Sequence, residues 1–269
     1  MEHILSLSYG KDSLACLGAI EQLGWPLDRI VHSEVWATET IPADPPPMVE
    51  FKAKADAIIL KRWGIQVEHI RSHWTYESYF YKKRTEKAKF AGCINGFPMQ
   101  RRNWCVGRLK TEVLAKLNKG CVAYLGIAVD ETERVNRHIG KQNMKLPLVE
   151  AGWTELMCRE WCDDRGLLSP IYTTATRGGC WFCHNQSVDQ LRILRKSYPD
   201  YWHILLRWDT DSPVVFKPNG FSVHDYDRRF QMEDEGLVPM DSTFRWDMLN
   251  NPPGTQISFF QEGWNAKGY

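Results

Sequence analysis

Short apolar runs alternate with longer stretches of helical periodicity through the first seventy residues. Apolar runs of four to eight residues are typical of strands, whereas apolar residues spaced three and four apart are typical of helices. The predicted strands are 4–7, 29–35 and 65–70, and the predicted helices are 12–23 and 48–63. The order β-α-β-α-β predicts an α/β fold with a doubly wound, mainly parallel, Rossmann-like sheet.

The pattern is less regular in the rest of the chain. A buried strand is expected at 121–128, and helices are expected at 107–117, 153–165, 187–206 and 223–235. We predict two parts: an α/β domain at 1–175, with a basic insertion at about 74–104, and a helical extension at 176–269. The extension carries a Cys-x-x-C motif.

The first predicted strand passes into the first predicted helix through the turn Ser8-Tyr9-Gly10-Lys11-Asp12-Ser13. Backbone N–H groups and the positive end of a helix dipole converge on such a turn, which makes it an anion site. Lys11 adds a positive charge, Ser8 and Ser13 add hydroxyl donors, and Asp12 suits the helix start. The simpler alternative is a capped strand-to-helix turn with a surface lysine. The turn lacks the spacing of a Walker A loop.

Composition narrows the classes of protein. A net charge of +1 excludes a polycation, and 43% hydrophobic residues are enough for a substantial core. No run of 18 apolar residues is present, and Met1 to His3 lead directly into the first strand without a signal-peptide pattern. We therefore expect a cytoplasmic protein that does not span a membrane.

Positive charge is concentrated between residues 81 and 120. Eleven Lys and Arg residues lie there and only Glu86 and Glu112 oppose them. The basic residues are 82, 83, 84, 87, 89, 101, 102, 108, 110, 116 and 119. Such a run is commonly a solvated face. The alternative is a phosphate-rich partner, either a nucleotide or a nucleic acid, with nearby Trp and Tyr side chains available to stack on bases.

Eight cysteines occur in the chain, and their spacing suggests metal chemistry more than disulfides in a cytoplasmic protein. Cys180 and Cys183, preceded by two glycines, can turn both sulfurs toward one metal or cluster. The motif needs further ligands from elsewhere in the chain. Ligand type alone leaves zinc and iron–sulfur open. Four of the remaining cysteines are expected in the core: Cys16, Cys121, Cys158 and Cys162.

The turn at residues 8–13 resembles the S-x-G-K-D-S signature of the PP-loop ATP pyrophosphatase superfamily, with Tyr9 where many members carry glycine. Three later segments are similar to the phosphoadenylyl-sulfate reductase branch of that superfamily. They are the Cys-x-x-x-x-Lys segment in 104–110, the strand end and arginine in 125–134, and the Cys-x-x-C in 179–183. Ala128 stands where the family commonly has arginine. The resemblance covers roughly residues 1–190.

The resemblance implies ATP with Mg²⁺ at the turn. The implied nucleotide-binding residues are Ser8, Gly10, Lys11, Asp12, Ser13, Lys110, Gly126 and Arg134, and the implied catalytic residues are Lys11, Asp12, Asp130 and Glu131. It also places Cys105 beside Cys180 and Cys183, with Cys93 as the best fourth ligand. A [4Fe-4S] cluster with three or four cysteine ligands is expected, with Zn²⁺ as the alternative.

Sulfonucleotide reductases carry a nucleophilic cysteine near the C-terminus, but no cysteine follows Cys183. We therefore expect adenylation of an acceptor with pyrophosphate release, with or without sulfur transfer to a nucleic acid or small molecule. One alternative is a sulfonucleotide reductase that uses an external thiol. Another is a non-catalytic nucleotide- or nucleic-acid-binding module with structural zinc. The expected partners are an adenine nucleotide and tRNA or DNA, with a homodimer left open.

Overall fold

A computed structural model describes residues 1–85, 91–99, 103–117, 119–173 and 178–252. Its centre is a five-stranded sheet in which every strand pairs in parallel. The strands are β1 (His3–Ser6), β2 (Arg29–Glu34), β3 (Val67–Arg71), β4 (Val122–Tyr124) and β5 (Met144–Lys145). The strand order is β3-β2-β1-β4-β5. The predicted parallel α/β sheet is thereby confirmed.

Helices connect the strands and then form the C-terminal part. The helices of the α/β part are α1 (Lys11–Leu23), α2 (Pro46–Trp63), α3 (Tyr76–Phe80), α4 (Trp104–Val106), α5 (Glu112–Leu117), α6 (Thr132–His138), α7 (Pro147–Glu150) and α8 (Glu155–Asp163). A π-helical turn, Gly107–Thr111, joins α4 to α5. The C-terminal helices are α9 (Val188–Ser197), α10 (Pro199–Asp211) and α11 (Val223–Asp234). Two 3-10 turns lie at Pro170–Thr173 and Trp246–Leu249.

The sheet order places β1 in the centre, with β2 on one side and β4 on the other. Ile4 is opposite Arg29 in β2 and opposite Ala123 in β4. The chain leaves β1 toward β2 but reaches β4 only later, so the connections diverge at this point. In open α/β sheets, ligands bind at the carboxyl ends of strands where connections diverge. The turn after β1 lies at this edge.

Two hydrophobic cores support this edge. The first contains β1, α1, which is buried on all sides from Ser13 to Ile20, and the buried residues of α2 and α8. The second is rich in aromatic residues. It joins the segments after β2 and β3 to the C-terminal helices, with Tyr76, Trp181 and Trp208 buried together. The cysteine-containing extension therefore packs on the α/β part.

Some elements differ from the sequence prediction. The expected helix at 187–206 is two helices, α9 and α10, because Pro199 has no N–H to continue the ladder and Tyr198 leaves helical geometry. The expected strand at 121–128 ends at Tyr124, where the chain turns toward α1. The short helices α3 and α6 were missed since one or two turns carry little periodic signal. In the described part, no helix is long and apolar enough to cross a membrane.

Candidate functional site

A cavity of about 360 Å³ lies at the carboxyl ends of β1 and β2. Its walls come from the turn after β1, the loop and helix after β2, and the segment around Lys110. Tyr172 and Cys180 close another side. Ligand pockets for small molecules start at about this volume. The cavity thus brings the turn, Lys110 and the Cys-x-x-C motif to one place.

Serine hydroxyls hold the turn after β1 in shape. Ser8 Oγ donates to Ser13 Oγ at 3.0 Å, and the backbone N–H of Ser8 donates to the same oxygen at 3.1 Å. Ser13 Oγ in turn donates to the Gly10 carbonyl at 3.0 Å. Gly10 is the N-cap of α1, and the N–H of Lys11 donates to the Tyr172 hydroxyl at 3.1 Å. These bonds aim the helix N-terminus at the cavity edge.

Tyr9 occupies the left-handed backbone region, with φ of 58°. This conformation is costly for a residue with a side chain, by about 1 kcal/mol or more, which explains why glycine suits this position. The side chain of Tyr9 is fully buried, and its hydroxyl donates to Asp56 and lies 3.2 Å from His69 Nε2. Burial and the neighbouring Asp56 carboxylate raise the pKa of Tyr9, so the phenol stays protonated. Packing and hydrogen bonding thus offset the backbone strain.

Lys11 lies beside two carboxylates. Its ammonium is 2.7 Å from Asp12 and 3.5 Å from Glu155. Burial alone lowers the pKa of Lys11, but the hydrogen bond and charges of these carboxylates raise it overall. Carboxylate oxygens of Asp12, Glu131 and Glu155 lie within 4.8 Å of one another, a spacing that fits an oxygen-liganded divalent cation. Such a cation would compete with the ammonium of Lys11.

The other residues expected to contact the nucleotide do not all line the cavity. Lys110 lines the cavity. Gly126 lets the end of β4 approach α1, because a Cβ there would lie 2.6 Å from Ser13 Cα. Arg134 is exposed and pairs with Glu131, outside the cavity lining. Asp130 accepts the N–H of Glu155 at 3.0 Å and so fixes the start of α8.

A buried network of polar groups forms the wall beside Tyr9. His32 Nδ1 lies 2.8 Å from the Leu7 carbonyl, so it carries the proton, and Nε2 accepts from the Lys52 ammonium at 2.8 Å. Lys52 also donates to Asp44 at 2.5 Å. Burial, followed by the charge of Lys52, lowers the pKa of His32 to about 2. The imidazole is therefore neutral, and the Lys52–Asp44 ion pair borders the cavity.

Three of the four expected cysteine ligands lie close together. The pKa of Cys105 is raised to about 11 and that of Cys180 to about 12. Burial is the largest cause for both thiols, and the charge of Cys183 also raises both pKa values. The charge of Lys110 acts in the opposite direction on both thiols. Cys93 is exposed and is not among the charge neighbours that influence these thiols. The structure thus groups Cys105, Cys180 and Cys183 without Cys93.

Two buried donors lie against this cysteine group. The Tyr76 hydroxyl and Trp104 Nε1 have no hydrogen-bond partner among the described residues, and their rings are 4.9 Å apart. Burial raises the pKa of Tyr76, and the charges of Cys105, Cys183 and Cys180 raise it further. A protonated phenol without an acceptor is costly in a core. Sulfur atoms of a bound metal group would be suitable acceptors, so the site fits the expected group.

A surface of aromatic and basic side chains adjoins Cys105; we call it the aromatic–basic surface. It consists of Trp74, Tyr79, Lys82, Trp104 and Arg108. Tyr79 packs on Trp104 with ring centroids 4.8 Å apart. The Lys82 ammonium lies 4.7 Å from the Trp74 ring, and the Arg108 guanidinium lies 5.9 Å from Tyr79. The basic residues 87, 89, 101 and 102 of the predicted region lie outside the described residues.

Several residues at the site were not singled out from the sequence. Glu155 joins Asp12, Tyr172 holds Lys11, and the Asp44–Lys52 pair borders the cavity. Asp44 precedes three prolines and Lys52 sits eight residues later on α2, and this pattern alone is typical of a capped surface helix. The contact of Lys52 with His32 of β2, which the local pattern does not predict, places the pair in the cavity wall.

The described site defines the protein at the level of its fold class: a Rossmann-like α/β protein with a cavity of about 360 Å³ at the carboxyl edge of its sheet. Comparison with known proteins gave no narrower assignment, since neither a family model nor a curated protein matches the chain.

Proposed function

We propose that the protein binds ATP in the cavity and adenylates an acceptor with release of pyrophosphate. The observation that carries this proposal is the joint lining of one cavity by the turn after β1, Lys110 and Cys180. A helix N-terminus and lysines are suited to phosphate oxygens. The order of these segments is also that of the PP-loop reductase branch.

The reaction is a phosphoryl-centred substitution. An acceptor oxygen attacks the α-phosphorus, the bond from that phosphorus to the α,β-bridging oxygen breaks, and pyrophosphate leaves. The acceptor proton passes to water. Negative charge grows on the departing oxygens, where Lys110 and the N-terminus of α1 would stabilise it. Mg²⁺ would neutralise phosphate charge, with Asp12, Glu131 and Glu155 as candidate carboxylate ligands.

Cys105, Cys180 and Cys183 would hold a metal group beside this reaction. Thiolate ligands suit zinc and iron–sulfur clusters alike. Transfer of sulfur would require the cluster, whose cysteines bind different irons. A cluster with three cysteines would present sulfide for transfer to the adenylated carbon, from which AMP would leave.

The aromatic–basic surface favours a nucleic acid as the acceptor. Bases stack on aromatic side chains, and lysine and arginine neutralise phosphates. Trp104 precedes Cys105, so a strand on this surface would reach the cysteine group. We therefore propose single-stranded regions of RNA or DNA as acceptors, with a small-molecule acceptor as the contrary outcome.

The test is pyrophosphate release from ATP, measured on anaerobically purified protein with no acceptor, with RNA and with single-stranded DNA. We expect release that depends on nucleic acid. The variant Lys110→Met should lose it, whereas Lys116→Met, an exposed lysine on α5, should retain it. The proposal fails if ATP does not bind and no acceptor elicits pyrophosphate.

A further inference from the structure

We infer that Asp44 and Lys52 recognise the ribose of the nucleotide and select a free 2′,3′-diol over a 3′-phosphorylated sugar. The inference rests on the proposed adenine-nucleotide function, because it concerns the same cavity. It concerns the ribose, which the phosphate-binding turn would not contact. It also separates ATP from nucleotides that carry an additional phosphate on the ribose.

Lys52 is a buried ammonium held in one position. Its side chain is 11% exposed, and two of its three N–H groups are directed to His32 Nε2 at 2.8 Å and Asp44 Oδ2 at 2.5 Å. The bond from His32 Nδ1 to the Leu7 carbonyl fixes the tautomer that accepts from Lys52. One ammonium N–H therefore remains for a ligand in the cavity that Lys52 lines.

Asp44 supplies the matching acceptor. Its Oδ1 has no hydrogen-bond donor among the described residues, and 25% of its side chain is exposed. Among the described residues that line the cavity, Asp44 is the sole carboxylate. A ribose diol needs at least one acceptor for its O–H groups. If a nucleotide occupies this cavity, Asp44 is therefore the strongest acceptor for its hydroxyls.

Charge decides which sugar fits. A carboxylate accepts hydrogen bonds from ribose hydroxyls, whereas a cation beside the ribose accommodates a phosphate ester. Here the carboxylate and the ammonium neutralise each other, so the pair offers one donor and one acceptor without net positive charge. A 3′-phosphate would be placed against Asp44, and like charges in contact disfavour the wrong ligand. The intact pair therefore favours the free diol.

Stability alone does not account for the pair. Two charges taken from water into a protein interior seldom add net stability, since the desolvation cost rivals their attraction. The pair nevertheless lies in the cavity wall, with an additional charge-neutral imidazole oriented to support it. Ligand recognition explains this placement.

The first experiment uses the unaltered protein and isothermal titration calorimetry with four probes: ATP, 3′-deoxy-ATP, AMP and adenosine 3′,5′-bisphosphate. We expect ATP to bind at least tenfold more tightly than 3′-deoxy-ATP, since a hydrogen bond to a charged group is lost. We expect AMP to bind at least tenfold more tightly than the bisphosphate. Equal affinities within either pair would overturn the inference.

The second experiment repeats the AMP and bisphosphate titrations on Asp44→Asn, which leaves Lys52 charged. We expect the preference to shift at least tenfold toward the bisphosphate. Glu50→Gln, an exposed carboxylate on α2, should leave the preference unchanged. An unshifted Asp44→Asn preference overturns the inference. If instead no adenine nucleotide binds the unaltered protein, the proposed function itself fails. The titrations on unaltered protein decide the matter even if Asp44→Asn does not fold.

Discussion

The backbone N–H of Trp181 donates a hydrogen bond to the Ala43 carbonyl at 2.9 Å. Trp181 lies inside the Cys-x-x-C motif, and Ala43 precedes Asp44 in the loop after β2. Trp181 Nε1 adds a second bond, to the Pro42 carbonyl at 3.0 Å. The turn that carries the two cysteines is thereby attached to the loop that borders the cavity. A substitution in the Cys-x-x-C turn should therefore alter the loop that borders the cavity, and a substitution in the loop should alter the turn.

Gly126→Ala should destabilise the protein and disturb the turn after β1. A Cβ at this position would lie 2.6 Å from Ser13 Cα, and both partners are backbone that cannot move cheaply. Overpacking of this kind costs about 1–3 kcal/mol in the free energy of unfolding. Urea denaturation followed by circular dichroism measures it. Gly107→Ala is the matched control, since no atom lies within 4 Å of its added Cβ and its backbone is helical. Equal stability of the two variants would contradict the close approach.

Stability should fall as the pH is lowered below 6.5, because of His32. Its pKa is lowered to about 2 in the folded protein, first by burial and then by Lys52. Below pH 6.5 the unfolded chain binds a proton that the folded protein does not, so acid favours unfolding. The loss attributable to His32 is about 2 kcal/mol between pH 6.5 and pH 5.

The measurement is urea denaturation at several pH values within that window. His32→Gln should flatten the pH dependence, whatever its effect on absolute stability. His73→Gln, which removes an exposed histidine, should keep the slope of the unaltered protein. A slope that persists in His32→Gln would show that another group is responsible.

Loss of Cys105, Cys180 or Cys183 should remove the bound metal, whereas loss of Cys93 should not. The first three thiols influence one another's pKa in a buried setting, and Cys93 is exposed outside that group. Serine variants are compared by iron and zinc analysis and by the visible spectrum of anaerobically purified protein. An iron–sulfur cluster would absorb near 400 nm and bring about four irons per chain. Metal loss in Cys93→Ser would instead show four cysteine ligands.

Tyr76→Phe should have opposite effects in the metal-free and metal-loaded protein. Without metal, the Tyr76 hydroxyl has no acceptor among the described residues, so its removal should stabilise the fold by about 1 kcal/mol. With metal bound, the hydroxyl would donate to sulfur, and its removal should destabilise. Thermal unfolding of both forms checks this. Tyr81→Phe is the control, because the Tyr81 hydroxyl already has an acceptor: it donates to Asp211 at 2.5 Å. If Tyr76→Phe changed stability equally in the metal-free and metal-loaded protein, the Tyr76 hydroxyl would not be a donor to the metal group.

The sequence itself determined the α/β class, the parallel sheet and the position of the turn after β1. These depend on local patterns: an apolar strand of β1, a turn with Gly10, and the periodicity of α1. A parallel sheet then places every strand end that feeds a helix at the same edge. The Cys-x-x-C motif was likewise readable from its spacing alone.

Only the tertiary structure decided which side chains meet. Lys52 contacts His32, Tyr172 holds the turn, and Glu155 joins Asp12, although none of these pairs has a local signature. The reason is physical: a residue's face on a helix is set by local periodicity, but its partner is set by how distant elements pack. Cys93 is exposed, whereas Cys105 and Cys180 are influenced by the charge of Cys183, a difference that sequence spacing could not show.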